Sequence, residues 1–152
     1  MVIRDILNMK GGTIFSVAPD GSVSDAVGMM VKNDIGSLVV IDGGRMTGMV
    51  TFREVLKALD AHGGNLAGLR VGEVMVADPI SGHPDDTLDH LRDVMTKNHV
   101  RYLPVTDAGQ LMGVISFHDV AKSVIKETSF ENRLLKRYIE NRPEAGEAST
   151  ST

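Results

Sequence analysis

The chain is built twice from one pattern. When its 152 residues are shifted by 65, Ser16–Leu59 lies over Ser81–Val124 without a gap. Fourteen of the 44 aligned positions are identical, where average residue usage would give about three by chance. The matches include Pro19 with Pro84, Asp20 with Asp85, Met30 with Met95, Asn33 with Asn98, Leu38 with Leu103, Asp42 with Asp107, Gly48 with Gly113 and Phe52 with Phe117. A repeat of this length is one supersecondary unit. A single copy leaves its apolar sheet face uncovered, so the two copies must pack together.

Each copy reads as β-α-β-β-α. A short extended piece (Thr13–Val17; Ile80–Ser81) precedes a Pro-Asp turn, and Ser22 or Thr87 then stands at a helix N-cap position. Val23, Ala26, Val27, Met30 and Val31 recur at helical spacing, as do Leu88, Leu91, Val94 and Met95. Apolar runs of strand length follow, Ser37–Ile41 with Arg45–Thr51 and Tyr102–Thr106 with Gln110–Ser116. The turn sequences Asp42-Gly43-Gly44 and Asp107-Ala108-Gly109 close each pair as a hairpin. A helix begins at Phe52 or Phe117, and the second runs on to about Asn141, where Pro143 stops it. The expected fold is therefore α/β (α+β), two pseudo-symmetric β-α-β-β-α units packed sheet to sheet with an extended C-terminal helix. Residues 1–62 form the first unit with a helical lead-in at Val2–Leu7. Residues 63–70 are a Gly-rich linker, residues 71–142 the second unit, and the polar stretch 143–152 a disordered tail. Val71–Met75 echoes Val2–Leu7 as the lead-in to the second unit.

Composition removes several functions. There is no cysteine, which excludes a disulfide scaffold, a thiolate metal site, a cysteine nucleophile and a dithiol redox motif. The net charge of −4 disfavours nucleic acid as a partner. The basic cluster Arg133, Lys136, Arg137 and Arg142 reads as a solvated helix face or protein contact. No apolar run is long enough to span a bilayer. Met1–Lys10 lacks the apolar core of a signal peptide, and the expected location is the cytoplasm. His83, His90, His99 and His118 have no tight ligand spacing, so no metal site is expected. No nucleophile motif, P-loop or HExxH is present, so the chain is expected not to be an enzyme. With only 4% aromatic residues and nine Met, methionine fills core and interface.

The stretches VGEVM-VADPISGHPDDTL, NDIGSLVVIDGGRMTGMVTFREV and HVRYLPVTDAGQLMGVISFHDV resemble the paired CBS domains of a stand-alone Bateman module. The resemblance covers about Val2–Lys126. It implies a module that binds adenosine ligands (AMP, ADP, ATP, NAD(H) or S-adenosylmethionine) in clefts between the units, with AMP first among them. It also implies a homodimer in the form of a flat disc. Such a chain acts on a separate effector protein, and the long final helix is the expected output surface. Dimer contacts are expected on Val23–Asn33 and Leu88–Asn98. The competing reading is a dimeric interaction scaffold that binds no ligand.

The residues indicate where a nucleotide would sit. Ser116 ends a strand just before a helix, where free N–H groups and a hydroxyl favour an anion. Asp119 follows three residues later, and a carboxylate can accept both ribose hydroxyls. The resemblance implies that Asp119 holds ribose and that Ser116 helps hold phosphate. The same pair is also a capping box. The resemblance also implies that Arg101, whose repeat partner is Gly36, meets the phosphates, a task its forked cation suits. His99 and His118 could assist. By the same resemblance Thr13, Ile14, Phe15, Ile35 and Gly36 frame the adenine. A second, weaker cleft would use Thr51, Glu54, Pro79, Ile80, Ser81 and Val100. There Glu54 replaces the usual Asp, and Thr51 with Glu54 makes the better capping box.

Overall fold

A computed structural model describes residues 1–141. The order is α1 (Ile3–Lys10), β1 (Ser16–Val17), α2 (Val23–Asn33), β2 (Ser37–Asp42), β3 (Arg45–Thr51), α3 (Phe52–Ala61), α4 (Val71–Val74), β4 (Val76–Ala77), α5 (Leu88–Asn98), β5 (Tyr102–Asp107), β6 (Gln110–Ser116) and α6 (Phe117–Glu140). The expected tail at 143–152 lies outside the described residues.

The local signals behave as their chemistry requires. Ser22 Oγ accepts from the Asp25 N–H at 3.0 Å and Thr87 Oγ1 from the His90 N–H at 3.1 Å, so both expected N-caps start their helices. The matching C-caps, Asp34 and His99, both adopt left-handed backbone at φ 51° and 53°. The antiparallel hairpins share one register: Leu38 pairs with Val50 and Val40 with Gly48, just as Leu103 pairs with Ile115 and Val105 with Gly113. Their two-residue turns need positive φ twice. Gly43 and Gly44 meet this freely, whereas the second copy places Ala108 at φ 51°.

Two extended pieces depart from expectation. Only Ser16–Val17 of the first pairs as a strand, parallel to β2. Ile80–Ser81 forms none. Pro79 and Pro84 supply no N–H on either side of it, and the parallel bridge falls on Gly82 instead, which donates to Pro104 O and accepts from Thr106 N, each at 2.9 Å. Val76–Ala77 joins the edge of the first sheet beside β3. The sheets are thus β1-β2-β3-β4 and β5-β6.

The lead-ins cross between units. Chain order groups the N-terminal helix with the first repeat, but in space Ile3 and Ile6 of α1 complete the core of Leu88, Leu91, Met95, Leu103, Val105 and Ile115. Leu69 and Val71 complete the first core with Val23, Ala26, Leu38, Val40 and Val50. The backbone repeats the exchange: Ile3 N donates to Asp86 O at 2.9 Å, and Val71 N to Gly21 O at 2.8 Å. Alternation along β2 shows what lies on the other side of the sheet. Leu38 and Val40 face the first core, while Val39 points the opposite way and is still only 1% exposed. Met49 of β3 is likewise buried outside both clusters. The sheets therefore face each other, and the clefts open along that seam. Leu88, Leu91 and Met95 of α5 are all inside, and apart from Val31 of α2 the large apolar side chains left exposed on helices after α1 lie on α3 and α6.

Candidate functional site

Two clefts flank the seam. The smaller, about 560 Å³, is lined by Thr13, Ile14, Phe15, Ile35, Gly36, Arg101, Ser116 and His118, together with Lys10 and Phe117. The larger, about 1170 Å³, is lined by Thr51, Glu54, Pro79, Ile80, His99, Val100 and Arg101, together with Arg53, Lys57, Phe52 and Phe117. Ser81 lines neither cleft, although its neighbour Ile80 lines the larger. Asp119 is bonded to two lining residues of the smaller cleft, Lys10 and Ser116, but does not itself line it.

Its position follows from the strand-to-helix turn. The Ser116 N–H donates to Asp119 Oδ2 at 2.8 Å, and the Asp119 N–H donates to Ser116 Oγ at 3.1 Å, a reciprocal box on the first turn of α6. A third group joins it. Lys10 Nζ, at the end of α1, donates to the same Asp119 Oδ2 at 2.7 Å and to Val114 O at 2.7 Å. Burial pushes the Asp119 carboxyl up. The hydrogen bonds from Lys10 and Ser116, with the charge of Lys10, outweigh burial and hold it below the ordinary carboxylate range.

The corresponding turn at α3 is more closed. Glu54 is 8% exposed, and its Oε1 accepts from both the N–H and the hydroxyl of Thr51, each at 2.8 Å. The extra methylene lets the carboxylate fold back over its own cap. The cations beside it are better placed for a ligand: among the described residues Arg53, Lys57 and Arg101 form no ion pair, although all three line the larger cleft.

Between the clefts lies an aromatic partition. Phe52 and Tyr102 meet edge to face, with centroids 5.8 Å apart at 87°. Burial raises the Tyr102 pKa, opposed by the charge of Arg101. Gly36 is tight here: a Cβ on it would come within 2.0 Å of the Tyr102 hydroxyl and 2.2 Å of the Phe52 ring. The repeat partners carry equivalent backbone bonds, Phe52 N to Gly36 O at 3.2 Å and Phe117 N to Arg101 O at 2.7 Å. Arg101 alone adds a charge, and it borders both clefts.

Lys10, Arg53 and Lys57 were not legible as site residues. Lys10 lies 109 positions from Asp119, and only the crossed lead-in brings them together. Arg53 and Lys57 stand four apart on α3, a spacing that puts them on one helix face. That signal was present, but charge on an exposed helix is too common to single out.

A seam between two repeated units, flanked by clefts with cations and a helix-start carboxylate, defines a paired-domain module. The CBS-domain profile matches residues 3–61 and 71–126, and the chain belongs to that family. The CBS domain-containing protein CBSX3, mitochondrial, of Arabidopsis thaliana is 29% identical over 147 residues, 91% of this chain and 71% of that protein. The crystal structure of the CBS-domain protein ATU1752 from Agrobacterium tumefaciens superposes with a TM-score of 0.78 at 32% identity, over 81% of this chain and 98% of that one. CBSX2, solved in complex with AMP, shares the fold at 22% identity and a TM-score of 0.69, over 82% of this chain and 97% of that one.

Among the described residues no group of three His, Cys, Asp or Glu side chains converges as a metal site, and no helix is long and apolar enough to cross a membrane.

Proposed function

We propose that this chain is an adenosine-nucleotide-binding regulatory module, without catalysis of its own, whose ligand state is read by a separate partner protein. AMP is the first ligand, with ADP, ATP, NAD(H) and S-adenosylmethionine as the alternatives. The observation that carries the reading is the smaller cleft. Flat apolar walls from Ile14, Phe15 and Ile35, a cation at Arg101 and the α6 start at Ser116 come together from opposite units. These are the parts an adenylate needs: walls for the base, and a hydroxyl, N–H groups and guanidinium for phosphate. Asp119 takes the ribose once Lys10 lets it go. The AMP bound by CBSX2, which shares the fold, supports this ligand class. The larger cleft has room for a ligand of drug size or above, and its Arg53, Lys57 and Arg101 suit a longer phosphate chain. The module works as a homodimer in the cytoplasm. A ligand changes its output only by binding two relative positions of the units with different affinity.

A second reading, a dimeric scaffold without ligand, is favoured by one specific observation: both helix-start carboxylates are already engaged, Asp119 by Lys10 and Glu54 by Thr51. Isothermal titration with AMP, ADP, ATP, NADH and S-adenosylmethionine separates the two. Saturable binding that Asp119→Ala weakens at least tenfold supports the module. No heat from any of the five ligands leaves the scaffold. Full affinity in Asp119→Ala removes the ribose assignment.

A further inference from the structure

One arginine stands between two clefts. The repeat sets Gly36 opposite Arg101, so the pair of units carries a single guanidinium where a symmetric pair would carry two. Arg101 lines both clefts all the same, together with Tyr102 and Phe117. Its backbone is pinned beside the partition, since Arg101 O accepts from the Phe117 N–H at 2.7 Å. The residue is exposed and forms no ion pair among the described residues. Its charge reaches the Tyr102 phenol and works against the rise in pKa that burial causes there. The other cations are shared out unevenly. The larger cleft has Arg53 and Lys57 of its own. The smaller has Lys10, which is committed to Asp119 Oδ2 and to Val114 O at 2.7 Å each. Among the described residues that line the smaller cleft, Arg101 is therefore the one Lys or Arg left free for a ligand.

A guanidinium binds a phosphate best through both arms of its fork, a geometry that it can offer to one phosphate at a time. Two phosphates in contact with one guanidinium would stand no farther apart than about 8 Å, the screening length at physiological salt, so their repulsion is felt. We propose that Arg101 makes the two clefts antagonists for phosphorylated ligands. A phosphate bound in either cleft draws the guanidinium to its own side and weakens the other cleft for a second phosphate. A nucleoside without phosphate meets no such penalty and fills the clefts without regard to each other. The effect is reciprocal, because a coupling free energy between two sites acts equally in both directions. The proposal rests on the reading of the clefts as adenosine-nucleotide sites and adds that they do not fill independently. Between the two binding steps the chain holds a phosphorylated ligand on one side of its seam only, an asymmetric state that the pseudo-symmetry of the fold does not itself produce.

Isothermal titration of the full chain with AMP and with adenosine, beside Arg101→Gln, tests the proposal. Glutamine removes the charge and keeps the backbone bond to Phe117. Thr96→Trp plugs the larger cleft and Ala121→Trp the smaller, so that each cleft can be titrated alone. Both positions line their clefts, and circular dichroism checks the fold. In each plugged protein Arg101→Gln should weaken AMP at least about fivefold, the lower end of coupling between sites, and leave adenosine unchanged. In the full chain the same substitution should weaken the first AMP as much and leave the second unchanged, because the second already binds without the guanidinium. If Arg101→Gln weakens both AMP steps of the full chain, one guanidinium serves two phosphates at once and the antagonism is wrong; this arm needs neither plug. If it weakens AMP in only one plugged protein, or in neither, Arg101 is not shared and the proposal fails. In all these outcomes the nucleotide reading stands. Binding of neither AMP nor adenosine to the wild-type chain overturns that reading and this proposal with it.

Discussion

Replacing Lys10 with methionine keeps the length and apolar stem of the side chain and removes only the ammonium. Two short bonds disappear, to Asp119 Oδ2 and to Val114 O, both at 2.7 Å. The Lys10 side chain is 35% exposed and that of Asp119 18%, so solvent screens the pair and the stability lost should be no more than about 1 kcal/mol. The effect on binding should be of similar size and opposite in sign. A ribose that needs the Asp119 carboxylate must first displace Lys10, and removing that competitor returns about 1 kcal/mol to the ligand, roughly a fivefold gain in affinity. Adenosine isolates this effect, because it has a ribose and no phosphate. AMP should gain less, since Lys10 also lines the cleft and its charge attracts the phosphate. The assay is isothermal titration of both proteins with adenosine and AMP in one low-salt buffer. If adenosine binds Lys10→Met no more tightly than wild type, the idea that Lys10 and ribose compete for one carboxylate is wrong.

The remaining predictions concern the frame of the site. Asp119→Asn tests the depressed pKa. A carboxyl held below its unfolded value stabilises the fold above about pH 4, and the contribution fades as pH falls through the lower folded value. The stability difference between wild type and Asp119→Asn in urea titrations should therefore be steady near neutrality and shrink below about pH 4; a difference unchanged in acid contradicts this. Gly36→Ala drives a methyl into Tyr102 and Phe52 and should cost about 1–3 kcal/mol by denaturant titration, with weaker binding in both clefts. An alanine there that leaves stability unchanged means the partition is softer than its packing indicates. Ala108→Asn should raise stability by about 0.5–1 kcal/mol, because asparagine tolerates the left-handed backbone that Ala108 adopts at φ 51°. A lower melting temperature would refute the turn assignment.

The sequence alone determined the duplication, both hairpins and their turns, the caps at Ser22 and Thr87, and the strand-to-helix junctions at Ser116 and Thr51. All of these follow from contacts between near neighbours in the chain or from the alternation of apolar residues, and both are written locally. Which side chains line the smaller cleft was implied only by the resemblance to paired CBS domains, because those residues come from distant parts of the chain and no local pattern joins them. Ile80–Ser81 misled because an extended stretch between prolines can be a strand or a connection, and only the neighbour at Val105 decides between them. The crossing of the lead-in helices was decided by tertiary structure. Ile3 and Ile6 fit either apolar core equally well by pattern, and the choice depends on where the connecting chain can reach. That crossing carries Lys10 to Asp119, so the charge state and availability of the carboxylate were fixed by a contact between residues 109 apart, which no local pattern records.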